Sequence, residues 1–191
     1  FAFKHALLRD VTYETVLLDE RRRLHASAAA WLETQAGDRL DEHLGPLAEH
    51  LQAAGDRERA ITVLERAAAN AAALEFQERG GLPLVSHGVD ERLPERVRAG
   101  RANRGAADLI VSFQQSDEDR VFFFETPRSR SEVGERLARA VSREIGGTVE
   151  GRATAMLRET RSPAIVIARN DLDESLGRKT VAGIDRFFAS L

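Results

Sequence analysis

Cysteine is absent from this 191-residue chain, which excludes a disulfide framework and any metal site built on thiolates. No apolar run approaches the roughly 20 residues that a membrane-spanning helix needs. The formal net charge is −3, so the chain also lacks the strong positive excess that phosphate-backbone binding usually leaves. With 42% hydrophobic and 31% charged residues, the composition predicts a soluble globular protein with neither a nucleic-acid partner nor a membrane span.

The chain begins at Phe1 without an initiator Met, and no basic segment followed by an apolar stretch stands near its start. We interpret it as part of a longer protein, so what precedes Phe1 stays open. Because no export signal is visible, we expect a cytoplasmic location. A signal upstream of Phe1 would instead direct the protein out of the cytoplasm.

Residues 1–76 carry apolar side chains at helical spacing throughout, which predicts an all-α region. Its clearest stripe has spacings of 4, 3 and 4 residues, ends at Gly55, and consists of Leu40, Leu44, Leu47 and Leu51. After Asp56, which suits an N-cap, a second stripe consists of Ala60, Leu64, Ala67 and Ala71. Two antiparallel helices with such faces are typical of helical repeats.

The start of the chain resembles the end of the ATPase module in large bacterial signalling proteins, the ATPases attached to adenylate cyclases and transcriptional regulators. The resemblance rests on residues 1–14, FAFKHALLRDVTYE, and on residues 21–25, RRRLH. In that family this segment closes a winged-helix region and leads into tetratricopeptide-like repeats, and residues 47–74 fit such a lead-in. The family's Gly-x-x-x-x-Gly-Lys-Ser/Thr loop does not occur in the sequence, so we expect no ATP hydrolysis.

Two histidines of this region, His43 and His50, are seven residues apart and would share a helix face. A zinc site is therefore one interpretation of the pair. No third ligand follows at the spacing of one helical turn, so we favour histidines that lie on the surface or pack between helices.

From Gly80-Gly81 onward, short apolar runs alternate with helical patterns, which predicts an α/β domain over residues 77–191 with a mostly parallel sheet flanked by helices. The predicted strands are 82–85, 108–113, 120–125 and 163–168. The predicted helices are 91–104, 131–145, 153–159 and a closing helix capped near Asp173.

The apolar strand within residues 107–116 runs directly into three polar side chains, Gln114, Gln115 and Ser116. The carboxyl edge of a buried sheet is where α/β enzymes present their chemistry, so we expect a groove there. Two amides and a hydroxyl are poor metal ligands, nucleophiles and proton acceptors at neutral pH.

Two motifs in this half resemble those of the zinc-dependent N-acetylmuramoyl-L-alanine amidases, which cut the bond between the glycan strand of peptidoglycan and its stem peptide. The first motif, Arg-x-x-x-Ala-Asn-x-x-x-Ala-Asp, is matched by Arg98, Ala102, Asn103, Ala107 and Asp108. The second, Leu-Arg-x-Thr-x-x-Pro-Ala, is matched by Leu157, Arg158, Thr160, Pro163 and Ala164. The resemblance covers residues 82–191 and implies an amidase-like fold.

The resemblance also implies where catalytic groups would stand. Such amidases bind Zn²⁺ with two histidines and a glutamate, and a further glutamate acts as general base. Gln114 stands where a zinc histidine would, and an amide is a poor Zn²⁺ ligand beside imidazole. Ala168, which has no proton acceptor, stands at the base, and the cation Arg169 follows it. We therefore expect no catalytic residue, no metal ligand and no cofactor, but a groove lined by Ser112, Gln114, Gln115 and Arg169.

Three functions remain open at this point. The first is an amidase-like domain that has lost zinc-dependent hydrolysis and binds a peptidoglycan fragment or scaffolds a protein. The second is an active peptidoglycan amidase with zinc in a rearranged site, for which His87, Asp90 and Glu125 are the candidates. The third is an interaction module that docks its partner through the helices of residues 40–74.

Overall fold

The computed structural model describes residues 12–85 and 93–191. Its backbone contacts divide the chain into two compact units, with the division between Val63 and Leu64. The first unit is helical and the second is α/β, in agreement with the fold class that the sequence predicts. The division falls inside a helix, thirteen residues before the expected domain boundary at 76.

The first unit contains helix α1 (Leu18–Ala36), a 3₁₀ segment (Gly37–His43), helix α2 (Leu44–Ala54) and the start of helix α3 (Arg57–Glu78). Gly55 ends α2 in the left-handed region at φ +88°, and its N–H donates to the carbonyl of Gln52 at 3.0 Å. The side chain of Asp56 accepts from the N–H of Arg59 at 3.3 Å, as the predicted N-cap of α3 requires.

The leucine stripe of this unit is divided between two kinds of helix. Leu44, Leu47 and Leu51 lie on α2 and are almost completely buried, whereas Leu40 lies on the 3₁₀ segment. Pro46 explains the change, because it has no N–H to donate to the carbonyl of Glu42 and an α-helix cannot continue through this point.

The second unit continues α3 and adds four further helices and five strands. In chain order they are α4 (Glu95–Arg104), β1 (Ile110–Gln115), β2 (Arg120–Thr126), β3 (Ser129–Arg130), α5 (Glu132–Ile145), β4 (Thr148–Arg152), α6 (Ala155–Glu159), β5 (Ala164–Arg169) and α7 (Glu174–Phe188). The N-caps Ser131, Thr154 and Asp173 each accept from the backbone N–H three residues later, at 3.0, 3.3 and 2.7 Å. The predicted cap of the closing helix at Asp173 is thereby confirmed.

The sheet has the order β1-β5-β2-β4, and β3 forms a hairpin with the end of β2. β5 is central: it runs parallel to β1 and antiparallel to β2. The sheet is therefore mixed rather than mostly parallel. Only residues 116–119 connect β1 to β2, so the chain must reverse there, and β5 inserts between the two strands.

Residues 82–85, predicted as a strand, are not one. Leu82 is 95% exposed and Leu84 is 64% exposed. Pro83 lacks a backbone donor for a sheet ladder, which explains why this apolar run stays unpaired. Helix α4 begins after Pro94, later than the predicted residue 91, which lies outside the described residues. No helix among residues 12–85 and 93–191 combines the length and apolarity needed to cross a bilayer.

The central strand β5 separates two apolar layers because its side chains alternate between the faces of the sheet. Ile165 and Ile167 pack with residues of α3, α5 and α7 on the first face. Ala164, Val166 and Ala168 pack with residues of the shorter helices α4 and α6 on the second face. At the carboxyl end of this strand, side chains of both faces therefore lie at the same edge of the sheet.

Candidate functional site

Gln114 and Ala168 lie side by side at the carboxyl edge of the sheet. They are register partners on the parallel strands β1 and β5, and their side chains point to the second face. Gln114 is exposed, and Ala168 is 2% exposed. The two positions that the sequence singled out, 54 residues apart along the chain, are thus neighbours in the fold.

The same row continues across the sheet to Arg120 on β2 and Thr148 on β4, and we call these four positions the edge row: Gln114, Ala168, Arg120 and Thr148. The guanidinium of Arg120 forms ion pairs with Glu150 and with Glu118, the latter at 2.8 Å. A paired cation, rather than a carboxylate, is therefore the ionised group beside Ala168.

Gln115, the next residue of β1, belongs to the first face. Its side-chain amide donates to the backbone and side-chain oxygens of Asn170 at 3.0 and 3.1 Å. Its backbone N–H donates to the carboxylate of Glu65 on α3 at 2.9 Å. The side chain of Gln115 is therefore engaged in closing the loop after β5.

Sequence reasoning missed Glu65, because α3 was assigned wholly to the helical region. A signal was available in the small residues of this helix. A Cβ added at Gly177 on α7 would lie 2.3 Å from the carbonyl oxygen of Ala68, so α3 and α7 approach closely at Ala68 and Ala71. A stripe of small residues of this kind indicates close packing between two helices. Because α3 packs against α7 in this way, Glu65 on α3 lies at the end of β1.

Arg169 is a structural residue of the first face. It is 8% exposed and forms two hydrogen bonds with the carboxylate of Asp171, at 2.7 and 2.8 Å. A third bond reaches the carbonyl of Ile145 at the end of α5 at 2.8 Å, and the carboxylate of Asp119 lies 3.4 Å away. The hydrogen bond with Asp171 raises the pKa of Arg169, and the same bond lowers the pKa of Asp171.

The four predicted groove residues therefore divide between the two faces. Ser112 and Gln114 point to the second face, whereas Gln115 and Arg169 point to the first. A shared groove on one face can include only Ser112 and Gln114 of this set. The alternation of side chains along β1 and β5, together with the register of the two strands, explains this separation.

The residues that carry the amidase motifs hold the fold together. The guanidinium of Arg98 on α4 donates to the hydroxyl of the buried Ser112 at 3.0 Å. The amide of Asn103 donates to the carbonyl of Glu159 at 2.8 Å and accepts from the N–H of Arg161 at 2.9 Å. These contacts join α4 to β1 and to the segment before β5, so the motif residues have roles that need no catalysis.

The donors at this edge do not fit a zinc ion. Gln114 offers a neutral amide, Ala168 offers no donor, and a carboxylate oxygen of Glu65 accepts the hydrogen bond of Gln115. Within the described parts of the chain, no group of three or more histidine, aspartate or glutamate side chains is arranged to hold a metal ion. The carboxylate of Glu125 lies 3.6 Å from Arg130, at the opposite end of β2, and His87 and Asp90 lie outside the described residues.

The two histidines that the sequence analysis considers for zinc, His43 and His50, occupy different positions relative to α2. His43 precedes α2, whereas a ring nitrogen of His50 lies 2.8 Å from one of His25 on α1.

No family model matches the chain, and no curated protein matches it. Solved structures of amidases do resemble it. Ami1, an N-acetylmuramyl-L-alanine amidase from Mycobacterium smegmatis, superposes with a TM-score of 0.59 at 16% identity, over 69% of this chain and 77% of its own. The N-acetylmuramoyl-L-alanine amidase of Clostridium difficile 630 gives 0.53 at 20% identity, over 69% and 82%. The catalytic domain of CwlV from Bacillus (Paenibacillus) polymyxa var. colistinus gives 0.53 at 13% identity, over 69% and 83%.

At these identities the likeness concerns the fold alone. It confirms the amidase-like architecture that the two motifs of residues 82–191 predict. The resemblance of the first residues to signalling ATPases stays a prediction, and most of the segment that carries it, residues 1–11, lies outside the described residues.

Proposed function

We propose that the α/β unit is an amidase-fold domain that binds a peptidoglycan fragment and does not hydrolyse it. One observation carries the proposal: Gln114 and Ala168, at the positions that the resemblance assigns to a zinc ligand and to the general base, are direct neighbours across β1 and β5. This register supports the proposal, because it brings the two positions together at one edge of the sheet.

The expected loss of rate is large. A general base contributes about 10²–10⁴-fold, so an alanine at its position removes that factor. In a zinc hydrolase the metal supplies the nucleophile by lowering the pKa of its bound water, and the donors at this edge are unsuited to hold the metal. Arg120, the ionised group next to Ala168 in the edge row, is a cation and accepts no proton.

Binding needs less than catalysis. The exposed amide of Gln114 presents both a donor and an acceptor to a peptide backbone, and Thr148 presents a hydroxyl from the same row. Arg120 adds a cation that is one-third exposed and suits the carboxylates of a stem peptide. These groups support recognition of an amide-rich, anionic ligand of the cell-wall type.

The first experiment measures zinc and hydrolysis. The purified chain is incubated with equimolar zinc, passed through a desalting column and analysed for metal. A second sample is incubated with peptidoglycan, beside an active zinc amidase as positive control. We expect no stoichiometric zinc and no released stem peptide. Zinc at one ion per chain together with released peptide would establish the active amidase instead.

The second experiment measures binding of a soluble muropeptide by calorimetry. Gln114→Ala is compared with Gln52→Ala, a change at another exposed glutamine, on α2. We expect the edge-row variant to weaken binding and the control to leave it unchanged. Absence of binding by the unaltered chain would remove the peptidoglycan ligand from the proposal and favour a protein-scaffolding role.

A docking role for residues 40–74 is a separate proposal with a smaller surface than the sequence suggests. In the second half of α3, Ala68 and Ala71 are buried and lie close to Gly177. A partner on α3 would have to use another face of the helix. Deletion of this helix would also remove part of the α/β core, so surface substitutions are the suitable test.

A further inference from the structure

Three aromatic and imidazole side chains of the helical unit form a hydrogen-bonded chain that the proposed function does not use. The hydroxyl of Tyr13 lies 2.8 Å from Nε2 of His25 on α1. Nδ1 of His25 lies 2.8 Å from Nδ1 of His50 on α2, and both imidazoles are half-buried. These hydrogen bonds therefore connect the residues before α1 with α1, and α1 with α2.

The contact between the two Nδ1 atoms requires one proton between them. One imidazole must carry a proton on Nδ1 and donate it, and the other must be deprotonated at Nδ1 and accept it. If both imidazoles are protonated, both nitrogens carry a proton and no acceptor remains. Two positive charges then face each other at the distance of a hydrogen bond.

The groups shown around the pair, within the described part of the chain, are neutral or positively charged. Before α1, Tyr13 contributes a neutral hydroxyl. On α1, the guanidinium of Arg21 lies 4.9 Å from the centre of the Tyr13 ring, and Arg22 bonds with Asp19 on its own helix. The hydrogen bonds shown for the two imidazoles among the described residues join them to Tyr13 and to each other, and the charge that acts on His25 is that of His50.

We propose that Tyr13, His25 and His50 form a pH-sensitive latch, which holds α1 against α2 while one imidazole is neutral and releases the two helices when both are protonated. The latch lies wholly within the first unit, and it is independent of what the α/β unit binds.

The direction of the pH effect follows from His25. Burial, followed by the charge of His50, lowers the pKa of His25 from its ordinary value of 6.5. Below about pH 6.5 the unfolded chain binds a proton that the folded unit resists, so the free energy of unfolding decreases as the pH falls. The stabilisation is complete above this pH and is lost as the pH falls toward the folded-state pKa.

The direct test is the tautomer of each imidazole in the full chain, read from nitrogen chemical shifts by NMR at pH 8. We expect one of the two residues, His25 or His50, to carry its proton on Nδ1 and the other to be deprotonated there. Two imidazoles that both carry the proton on Nε2 would overturn the proposal, because neither could then donate across the contact. This test needs no variant.

The consequence is tested by amide hydrogen exchange between pH 7.5 and pH 5, with protection factors corrected for the intrinsic rate. We expect protection in α1 and α2 to fall by up to about tenfold for each pH unit below 6.5, with no such change in α5 and α7. His25→Gln removes the titrating group and is expected to remove this slope. His43→Gln, which lies outside the chain of contacts, is expected to keep it. An unchanged slope in His25→Gln, or a flat profile in the unaltered chain, would contradict the latch.

Discussion

The two faces of the sheet differ in how they are covered and in what their last row contains. On the first face, three long helices pack against Ile165 and Ile167, and the row ends in Arg169 with its hydrogen bonds to Asp171 and Ile145. On the second face, the shorter helices α4 and α6 cover the strands, and the row ends in Gln114 and Ala168.

The difference separates stability from chemistry along a single strand. Arg169 is held by bonds that the fold itself needs, so its identity is constrained by structure. Gln114 and Ala168 have no such duty in the described contacts: one is exposed, and the other contributes a methyl group. Substitutions at the end of the second face therefore remove fewer stabilising bonds than a substitution of Arg169, so the proposed absence of hydrolysis is compatible with an intact fold.

The largest decrease in the free energy of unfolding is expected for Ile167→Ala on the first face. Ile167 is fully buried, so the variant loses its transfer free energy and leaves a cavity, at a cost of about 2–5 kcal/mol. Val166→Ala, on the second face and 1% exposed, is the matched change. Denaturant unfolding of both variants gives the comparison. An equal loss per removed carbon would show that the two faces are packed equally well.

Arg169→Met is expected to lower the free energy of unfolding by about 1–3 kcal/mol, because the carbonyl of Ile145 and two carboxylates lose their donor. Arg178→Met is the control, because Arg178 and its ion-pair partner Glu174 on α7 are both exposed, at 60% and 54%. This variant should lose less than about 0.5 kcal/mol of unfolding free energy.

The cost of Arg169→Met should also depend on pH. Arg169 lowers the pKa of Asp171, so the pair stabilises the fold above the ordinary aspartate pKa of about 3.9 and loses this contribution as the pH falls through the lowered value. The difference between Arg169→Met and the unaltered chain is therefore expected to shrink below about pH 4 in unfolding experiments. A difference independent of pH would mean that the bond to Ile145 carries the whole effect.

Much of this arrangement follows from the sequence. Alternation and helical spacing predict β1, β2, β5, α5 and α7 to within a few residues. Local signals were insufficient in two places. The run at 82–85 is apolar but has no partner strand, and pairing is a property of the whole sheet.

The second feature that local signals do not predict is the packing partner of α3. Its apolar stripe predicts a helix but not the surface against which the helix packs, because a repeat partner and a sheet accept the same pattern. Only Gly177, a small residue over a hundred positions later, identifies α7 as a neighbour. Glu65 was missed for this reason, and the division of Gln115 and Arg169 from Gln114 required the register of the strands.

The smallest expected effect concerns hydrolytic activity, when two residues of the second face are changed to those of the amidase pattern. Gln114→His combined with Ala168→Glu places two groups of the amidase pattern in the edge row. The described residues hold no group of three or more histidine, aspartate or glutamate side chains suited to a metal, and Glu65 accepts the hydrogen bond of Gln115. We expect no gain in release of stem peptide from peptidoglycan. The folded state of the variant is checked by circular dichroism, because Ala168 is buried and Arg120 is the cation nearest to the added carboxylate. Recovered hydrolysis would mean that residues outside the edge row complete the metal site, and the contrast between the faces would then describe a dormant enzyme instead of a binding domain.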